Sequence, residues 1–220
     1  MGAASASAKV VPSTGGSVLV PSVSAPVSVS AAVPSASASV AVADAGTIDP
    51  MRPEDWELGP GKWTFEPDGT LACECKSNSH VIWWKASQPK DFDAAVEVQF
   101  LGDESSAGLL FRTQGQDFYN DMSFYQFEWY TRGTHHDKRL SLMRKNPYWV
   151  QIVTPLYPEA PYKKWIDFRV RAEKDHLEAF IDGERVFDKK DATFVRGGRL
   201  GLHVFQPRRT LFRKWRLTVL

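Results

Sequence analysis

The chain has 220 residues, of which 43% are hydrophobic and 24% charged, and its formal net charge at pH 7 is +1. A charge so nearly balanced gives no general reason to expect nucleic acid or an anionic membrane as a partner. The sequence has no apolar run long enough to span a bilayer, so we expect no membrane insertion. The length allows one or two domains.

The first fifty residues differ in composition from the rest of the chain. They contain no aromatic residue, one lysine and two acids, and consist almost entirely of Ala, Ser, Val, Pro and Gly. Small side chains bury too little apolar area to offset the entropy lost when the backbone is ordered. We therefore predict a disordered linker over residues 1–50. The alternation of Val with Ser is also compatible with a strand, but five prolines count against that alternative.

The start of the chain shows no signal peptide, because it lacks a basic stretch followed by a continuous apolar run. Ala/Ser/Pro/Val-rich segments are nevertheless common between an export signal or lipid anchor and a folded exported domain. The sequence thus favours a secreted or cell-envelope protein.

After Met51 nearly every segment predicts a short strand. The runs GKWTF and TLACEC flank the turn Pro67-Asp68-Gly69. The strand runs HVIWWKA, FDAAVEVQFLG, AGLLFRTQ, SFYQFEWYTRG, RLSLMRK and WVQIVTP follow, and KWIDFRVRAE alternates between apolar and polar residues. HLEAFIDGERVFD predicts a hairpin with a type I′ turn at Asp182-Gly183. These strands predict an all-β protein, an antiparallel two-sheet jelly-roll sandwich over residues 51–220.

The last two strand runs, VRGGRLGLHVFQPRRTLFRKWRL, carry glycines in front and basic residues behind. Leu200, Leu202 and Val204 alternate with a second set that includes His203, which predicts that one face packs on the core. The basic residues predict a solvated edge strand that is protected by charge. They are Arg208, Arg209, Arg213, Lys214 and Arg216.

The order of five motifs resembles the concanavalin A-like lectin/glucanase superfamily. The motifs are KDFDAAVEVQF, AGLLFR, FYQFEW, WIDFRVRAEKDHLEAFIDGERV and GGRLGLHVFQ…LFRKWRL, and the resemblance covers residues 56–220. The chain is similar to the laminin-G-like domain of the bacterial 3-keto-disaccharide hydrolase-like family, and also to the thrombospondin C-terminal domain. This resemblance implies a jelly roll whose concave sheet is the ligand surface.

The resemblance directs attention to polar and aromatic side chains on the strands of that sheet. We expect Arg112, Gln126, Glu128 and His203 to form a polar cluster that contacts a ligand. Either Trp129 or Tyr130 is expected to be a stacking platform for a sugar ring; they lie on opposite faces of one strand, and the sequence does not say which face is core. The alternative is a solvated outer face with an Arg–Glu pair.

Calcium is the one metal that the sequence suggests, although no cofactor is expected to be required. Asp117, Asn120 and Asp121 in QDFYND carry oxygen ligands of the kind that Ca²⁺ prefers. The same residue types form turns by bonding to their own backbone, and a turn is the simpler interpretation of this loop.

The main functional prediction is a non-catalytic carbohydrate-binding module on a flexible tether, with a glycan or polysaccharide as its partner. Related glucanases place two carboxylates on one strand, whereas FEWYTRG has Glu128 and no second acid in phase. One alternative is an enzyme of the 3-keto-disaccharide hydrolase type that uses Glu128 or His203 as the base. The other alternative is an adhesion domain with a protein partner.

Overall fold

A computed structural model of the protein describes residues 51–74, 79–86, 88–102, 105–116, 121–131, 140–154, 157–158, 160–205 and 209–220, together with the backbone of Thr47 and Ile48. The predicted disordered linker over residues 1–50 lies outside these residues, apart from the short strand Thr47–Ile48. The division into a linker and a domain therefore stays a prediction. Within the described ranges, no helix has the length and apolar character to cross a membrane.

Regular structure in the described residues is β-strand, apart from the single 3-10 turn Pro53–Asp55. The strands are β1 (Thr47–Ile48), β2 (Trp56–Leu58), β3 (Trp63–Phe65), β4 (Leu71–Cys73), β5 (Ser79–Trp84), β6 (Phe92–Phe100), β7 (Ser106–Gln114), β8 (Ser123–Tyr130), β9 (Leu140–Asn146), β10 (Tyr148–Val153), β11 (Trp165–Glu173), β12 (His176–Ile181), β13 (Glu184–Lys190), β14 (Arg199–Phe205) and β15 (Thr210–Val219).

The strands form two antiparallel sheets that pack face to face. The front sheet has the order β10-β9-β8-β7-β14-β5-β2, and the back sheet has the order β13-β12-β11-β6-β15-β4-β3, with β1 paired to β15. The core lies between the sheets and is made of alternate residues from both inner faces. The predicted all-β, two-sheet antiparallel sandwich is confirmed.

Sequence periodicity correctly predicts the inner face where strands are regular. Ile166, Phe168 and Val170 of β11 are buried, as the period-two pattern requires. The predicted hairpin is also confirmed, because Asp182 and Gly183 have φ values of 48° and 82° between β12 and β13.

Three tryptophans link the two sheets at one end of the core. Trp56 of β2 and Trp84 of β5 come from the front sheet, and Trp215 of β15 comes from the back sheet. The ring centroids of Trp215 lie 5.3 Å from Trp56 and 5.9 Å from Trp84, and all three side chains are buried. Edge-to-face and tilted contacts of this kind add to the free energy of burial.

The final strand corrects one sequence interpretation. β15 is not an edge strand but lies between β6 and β4 in the back sheet. Arg213 and Lys214 both bind Glu97, and Arg216 binds Asp167, so these basic side chains form ion pairs across the outer face of the back sheet. Basic residues on the last strand suggested a solvated edge, whereas Glu97 of β6 pairs with two of these cations and Asp167 of β11 with the third.

Candidate functional site

Strand β8 settles which face of FYQFEWY packs on the core. Tyr125, Phe127 and Trp129 belong to the core between the sheets, while Gln126 and Glu128 project from the outer face of the front sheet. Backbone alternation forces this separation once one side chain is placed.

Trp129 is therefore excluded as a stacking platform. Its indole Nε1 donates a hydrogen bond to the Pro158 carbonyl oxygen at 2.8 Å, and its ring packs on Phe168. The other candidate, Tyr130, lies on the outer face, but its ring is buried and its hydroxyl donates to Glu128 Oε1.

Cross-strand register brings the remaining predicted residues together on the outer face. Glu128 of β8 is opposite Gly108 of β7, which is opposite His203 of β14. On the other side, Glu128 is opposite Ser141 of β9. All of the polar members are buried, and together they form what we call the polar cluster: Ser106, Gln126, Glu128, Tyr130, Ser141 and His203.

Because residue 108 is glycine, the side chains of Glu128 and His203 can approach each other across strand β7. It lies between Glu128 and His203 in the same cross-strand row, so any side chain here would project between them. A Cβ at this position would also lie 1.8 Å from the backbone oxygen of Phe127. With no Cβ present, His203 Nδ1 lies 3.6 Å from Glu128 Oε2 across the intervening strand.

Glu128 is a buried carboxyl group held by two hydroxyl donors. Ser106 Oγ donates to Oε2 at 2.9 Å, and the Tyr130 hydroxyl donates to Oε1. Burial raises the pKa of Glu128 to about 6, and these hydrogen bonds, which lower it, offset only part of that effect. Glu128 therefore changes its charge just below neutral pH.

His203 is neutral at pH 7. Burial, with a smaller contribution from His80, lowers the pKa of His203 to about 3. The Gln126 side-chain amide Nε2 lies 3.1 Å from His203 Nδ1 and donates to it, which places the ring proton on Nε2. The approach of His203 to Glu128 is therefore a contact between a neutral ring and a carboxyl group, not an ion pair.

Two polar atoms of the cluster, on Gln126 and Ser141, lack a hydrogen-bond partner among the described residues. They are Gln126 Oε1 and Ser141 Oγ, both completely buried. Ser141 lies on β9, opposite Glu128 and on the side away from His203, whereas Gln126 lies two residues before Glu128 on the same face of β8. Buried polar atoms are almost always paired, so each of these two atoms can accept a hydrogen bond that the described residues do not supply.

An apolar patch adjoins the polar cluster on the same outer face. It consists of Val81, Trp83, Leu110, Met122 and Phe124, all buried. Gly201 lies beneath the Trp83 ring, since a Cβ there would be 2.6 Å from Trp83 Cε3. The outer face of the front sheet is thus polar over one part and apolar over the next.

Arg112 is not part of the cluster, which corrects the sequence prediction. The register of β7 shifts between Phe111 and Gln114, and Arg112 has a φ of 51°. This bulge turns its side chain away, where it donates to the carbonyl oxygens of Lys90 and Lys174 and pairs with Asp91 at 3.3 Å. Arg112 is a buried structural residue.

The structure describes only one of the three predicted calcium ligands. Asp117 and Asn120 lie outside the described residues. Asp121 is exposed, and its Oδ1 accepts a hydrogen bond from the Gln116 backbone at 3.2 Å, as a turn residue does.

A different group of potential metal ligands lies on the hairpin of β12 and β13. The ligand atoms of His176, Glu178 and Asp188 lie within 4.8 Å of one another. Arg185 binds both carboxylates at 2.9 Å, so a cation of the protein already occupies the space between them.

Sequence reasoning missed Ser106, Gly108 and Ser141. Gly108 and Ser141 lie on segments correctly predicted as strands, and Ser106 immediately precedes the predicted run AGLLFRTQ, but serine and glycine on a strand carry no signal of their own. Only the pairing of β7 with β8 and of β8 with β9 places them beside Glu128. The sequence pattern within one strand does not show which strands are its neighbours in the sheet.

Several solved structures share this fold. The carbohydrate-binding module CBM66 from Bacillus subtilis is 20% identical, with a TM-score of 0.62 over 74% of this chain and 94% of that one. A glycosyl hydrolase-like protein from Parabacteroides distasonis is 14% identical, with a TM-score of 0.53 over 78% and 91%. The exoplasmic/lumenal domain of VIP36, in a Ca²⁺/Man-bound form, is 12% identical, with a TM-score of 0.59 over 79% and 88%.

These structural similarities establish the fold, whereas the family is shown by the match of the sequence to a family model. No protein with a curated description matches the chain significantly. The model of the 3-keto-alpha-glucoside-1,2-lyase-like domain matches residues 50–218, which is most of the chain and includes all of the polar cluster. The predicted 3-keto-disaccharide hydrolase-like branch is confirmed, and the chain belongs to the family of 3-keto-alpha-glucoside-1,2-lyase-like domains.

Proposed function

We propose that this domain binds a carbohydrate on the outer face of the front sheet, over the polar cluster. One observation carries the proposal: Gln126 Oε1 and Ser141 Oγ are buried and have no partner among the described residues. A sugar hydroxyl both donates and accepts hydrogen bonds, so neighbouring hydroxyls of one ring can satisfy both atoms.

The apolar patch gives further support. A sugar ring has apolar C–H faces as well as hydroxyls, and a site for it combines apolar side chains with a few placed polar groups. Phe124 of the patch and Gln126 of the cluster are on the same face of β8, two residues apart. The fold shared with CBM66 and with the mannose-bound VIP36 domain is consistent with this use of the surface.

In this proposal the domain acts outside the cytoplasm at the end of its Ala/Ser/Pro/Val-rich linker, and it needs no cofactor for binding. Calcium is a variable of the test, because the similar VIP36 structure is a Ca²⁺-bound form.

Calorimetric titration of the full chain with methyl 3-keto-α-glucoside, with calcium and again with EDTA, tests the proposal. Ser141→Ala removes one predicted ligand contact and should weaken binding about fivefold, the usual effect of one hydrogen bond. Thr64→Ala, an exposed hydroxyl on the back sheet, is the matched control and should bind like the wild type. No binding by the wild type in either condition would overturn the proposal and favour a protein partner.

A second candidate function is catalysis, with Glu128 as a general base. A lyase that acts between C1 and C2 of a 3-ketoglucoside removes the C2 proton, which the adjacent ketone acidifies. The C1–C2 double bond then forms as the C1 oxygen substituent departs and takes a proton from water, and the hydroxide left behind takes the C2 proton from Glu128. The raised pKa of Glu128, about 6, favours this role, because a base works best when its pKa is near the working pH.

The same titration distinguishes binding from catalysis when methanol release is followed in parallel. A binding module releases no methanol from methyl 3-keto-α-glucoside. A lyase releases it, and Glu128→Gln should then abolish release while binding persists. Release that continues unchanged in Glu128→Gln would exclude Glu128 as the base.

A further inference from the structure

We propose that strand β10 is an interface between two copies of this chain, in which β10 pairs antiparallel with β10 of a second copy. The two seven-stranded front sheets then join into one continuous sheet, with a two-fold axis perpendicular to it. This inference is independent of the proposed function, because it concerns the edge of the front sheet and not a ligand on its outer face.

Strand β10 is an edge of the front sheet without the usual protection against pairing. It ends the strand order, so one side of its backbone pairs with no other strand of the described residues. Proteins normally protect an exposed edge by charged residues, by proline or by making the strand very short. The sequence of β10, YWVQIV, has no charged residue and no proline, and it is six residues long.

The strands that end the sheets elsewhere in the described residues are protected. β2 and β3 have only three residues each, and β2 includes the charged Glu57. β13, at an edge of the back sheet, has seven residues, of which the five charged ones are Glu184, Arg185, Asp188, Lys189 and Lys190. This contrast identifies β10 as the edge that is open to another strand.

β10 also carries the longest run of exposed apolar side chains among the described residues. Tyr148 is 79% exposed, Trp149 50% and Val150 40%. The register through β9 places Trp149 in the row of Phe124 on the outer face, and Val150 in the row of the core residue Tyr125. The exposed apolar surface therefore lies on both faces of the strand. A strand paired to this edge contacts both faces, whereas a ligand on the outer face reaches only one.

Two-fold symmetry allows a register that pairs these side chains favourably. Residues opposite each other on antiparallel strands lie on the same face, so Trp149 can lie opposite Trp149 of the second copy. Tyr148 is then opposite Val150. Aromatic–aromatic and aromatic–β-branched pairs both stabilise a sheet. A β-bulge between Gln151 and Val153 interrupts the regular strand, which confines the pairing to residues 148–151.

The charges described beside β10 do not oppose the association of two identical strands. Two-fold symmetry brings like charges together near the axis, so an uncharged strand is suited to pairing with itself. The two cations next to it on β9 are bound within their own chain. Arg144 pairs with Asp191, and Lys145 donates a hydrogen bond to the Met122 carbonyl oxygen. A second copy therefore fits this edge better than an acidic or basic partner.

The exposed area predicts a weak dimer. From their exposed fractions, the rings of Tyr148 and Trp149 contribute about 250 Å² from each copy. The two copies together bury about 500 Å² of aromatic surface besides the strand edge, which is less than the roughly 1,200–2,000 Å² of a stable interface. We therefore expect a dissociation constant on the order of 10–100 μM.

Sedimentation equilibrium of the full chain from about 1 μM to about 1 mM, a range that spans this constant, tests the proposal. The mass of the wild type should rise from 24.7 kDa towards twice that value. Trp149→Lys places two like charges opposite each other at the two-fold axis, and it should weaken association at least about tenfold. Leu58→Lys, at an exposed position of β2 on the opposite edge of the same sheet, is the matched control and should dimerise like the wild type.

Disulfide crosslinking tests the register. Trp149→Cys should form an intermolecular disulfide under mild oxidation, because opposite residues on paired strands have Cβ atoms about 5 Å apart. Tyr148→Cys should not, because its two copies lie about 8 Å apart, two residues along the strand and one strand across. Both variants keep the two native cysteines, so a crosslink through those would appear in both.

Each remaining outcome would overturn the interface or its register. A wild-type mass of 24.7 kDa at every concentration would overturn the interface, as would a dimer that survives Trp149→Lys. Equal loss of the dimer in Leu58→Lys would also overturn it. Crosslinking of Tyr148→Cys, alone or as fast as Trp149→Cys, would overturn the register. Far-UV circular dichroism of Trp149→Lys distinguishes loss of the dimer from loss of the fold.

Discussion

Glu128 carries its charge at a cost to the stability of the fold. Its pKa is raised from 4.5 to about 6 because burial disfavours the carboxylate. The folded protein therefore holds this proton more tightly than the unfolded chain does. The stabilisation is fully present below pH 4.5 and is lost as the pH rises through about 6.

This shift predicts a pH-dependent difference between the wild type and Glu128→Gln. The free energy of unfolding of the wild type, relative to that of Glu128→Gln, should fall by about 2 kcal/mol between about pH 4 and pH 7. His203 titrates in both proteins, so its effect largely cancels. Urea denaturation at several pH values measures the difference, and a constant difference would show that Glu128 has an ordinary pKa.

Glu97 should change the free energy of unfolding with pH in the opposite direction to Glu128. Burial raises the pKa of Glu97, but hydrogen bonds from Lys214 and Arg213 outweigh it, and the net pKa lies below 4.5. The difference between the wild type and Glu97→Gln should therefore not fall over the same range, and it should decrease in more acidic solution.

At the scale of the element, strand β7 shows how one irregular residue redirects a side chain. Arg112 is fully buried, adopts a positive φ and donates three hydrogen bonds to groups of Lys90, Asp91 and Lys174. Loss of Arg112 removes its hydrogen bonds to two carbonyl oxygens and leaves the Asp91 carboxylate with the Lys174 backbone N–H as a donor, so we expect the residue to contribute to stability.

Arg112→Met should lower the free energy of unfolding by about 3 kcal/mol, as expected when one partner of a buried pair is removed. Affinity for methyl 3-keto-α-glucoside should be unchanged in the folded variant. Denaturation and titration of the same sample test both statements. Lost binding with unchanged stability would return Arg112 to the ligand site.

The same irregularity explains where sequence prediction succeeded and failed. Regular alternation correctly placed the inner and outer residues of β11 and β14, and it put Gln126 and Glu128 on one face of β8. The expectation that His203 lies beside them came from the family resemblance. It failed at Arg112 and along β15, where Lys214 also has a positive φ, of 52°. Arginine and lysine give no sign of a bulge, unlike glycine or asparagine, so these shifts could not be located in advance.

At the scale of the whole molecule, Trp215 holds the two sheets together. It is completely buried, and its contacts with Trp56 and Trp84 cross from the back sheet to the front sheet. Trp215→Ala should lower the free energy of unfolding by about 4 kcal/mol, because it leaves a large cavity in a close-packed core. Tyr162→Ala, which removes a half-exposed ring, is the control, and similar losses in both variants would contradict the assignment.

The positions of β14 and β15 have a consequence for the order in which the chain is made. Both strands are the last of this domain in chain order, yet β14 lies between β7 and β5, and β15 lies between β6 and β4. Neither sheet can close while these strands are missing, so the domain must fold after synthesis of its strands is complete. Pairing between segments so distant in sequence is also slow. Until β14 and β15 have been synthesised, the apolar strands on either side of them therefore lack their partners in both sheets.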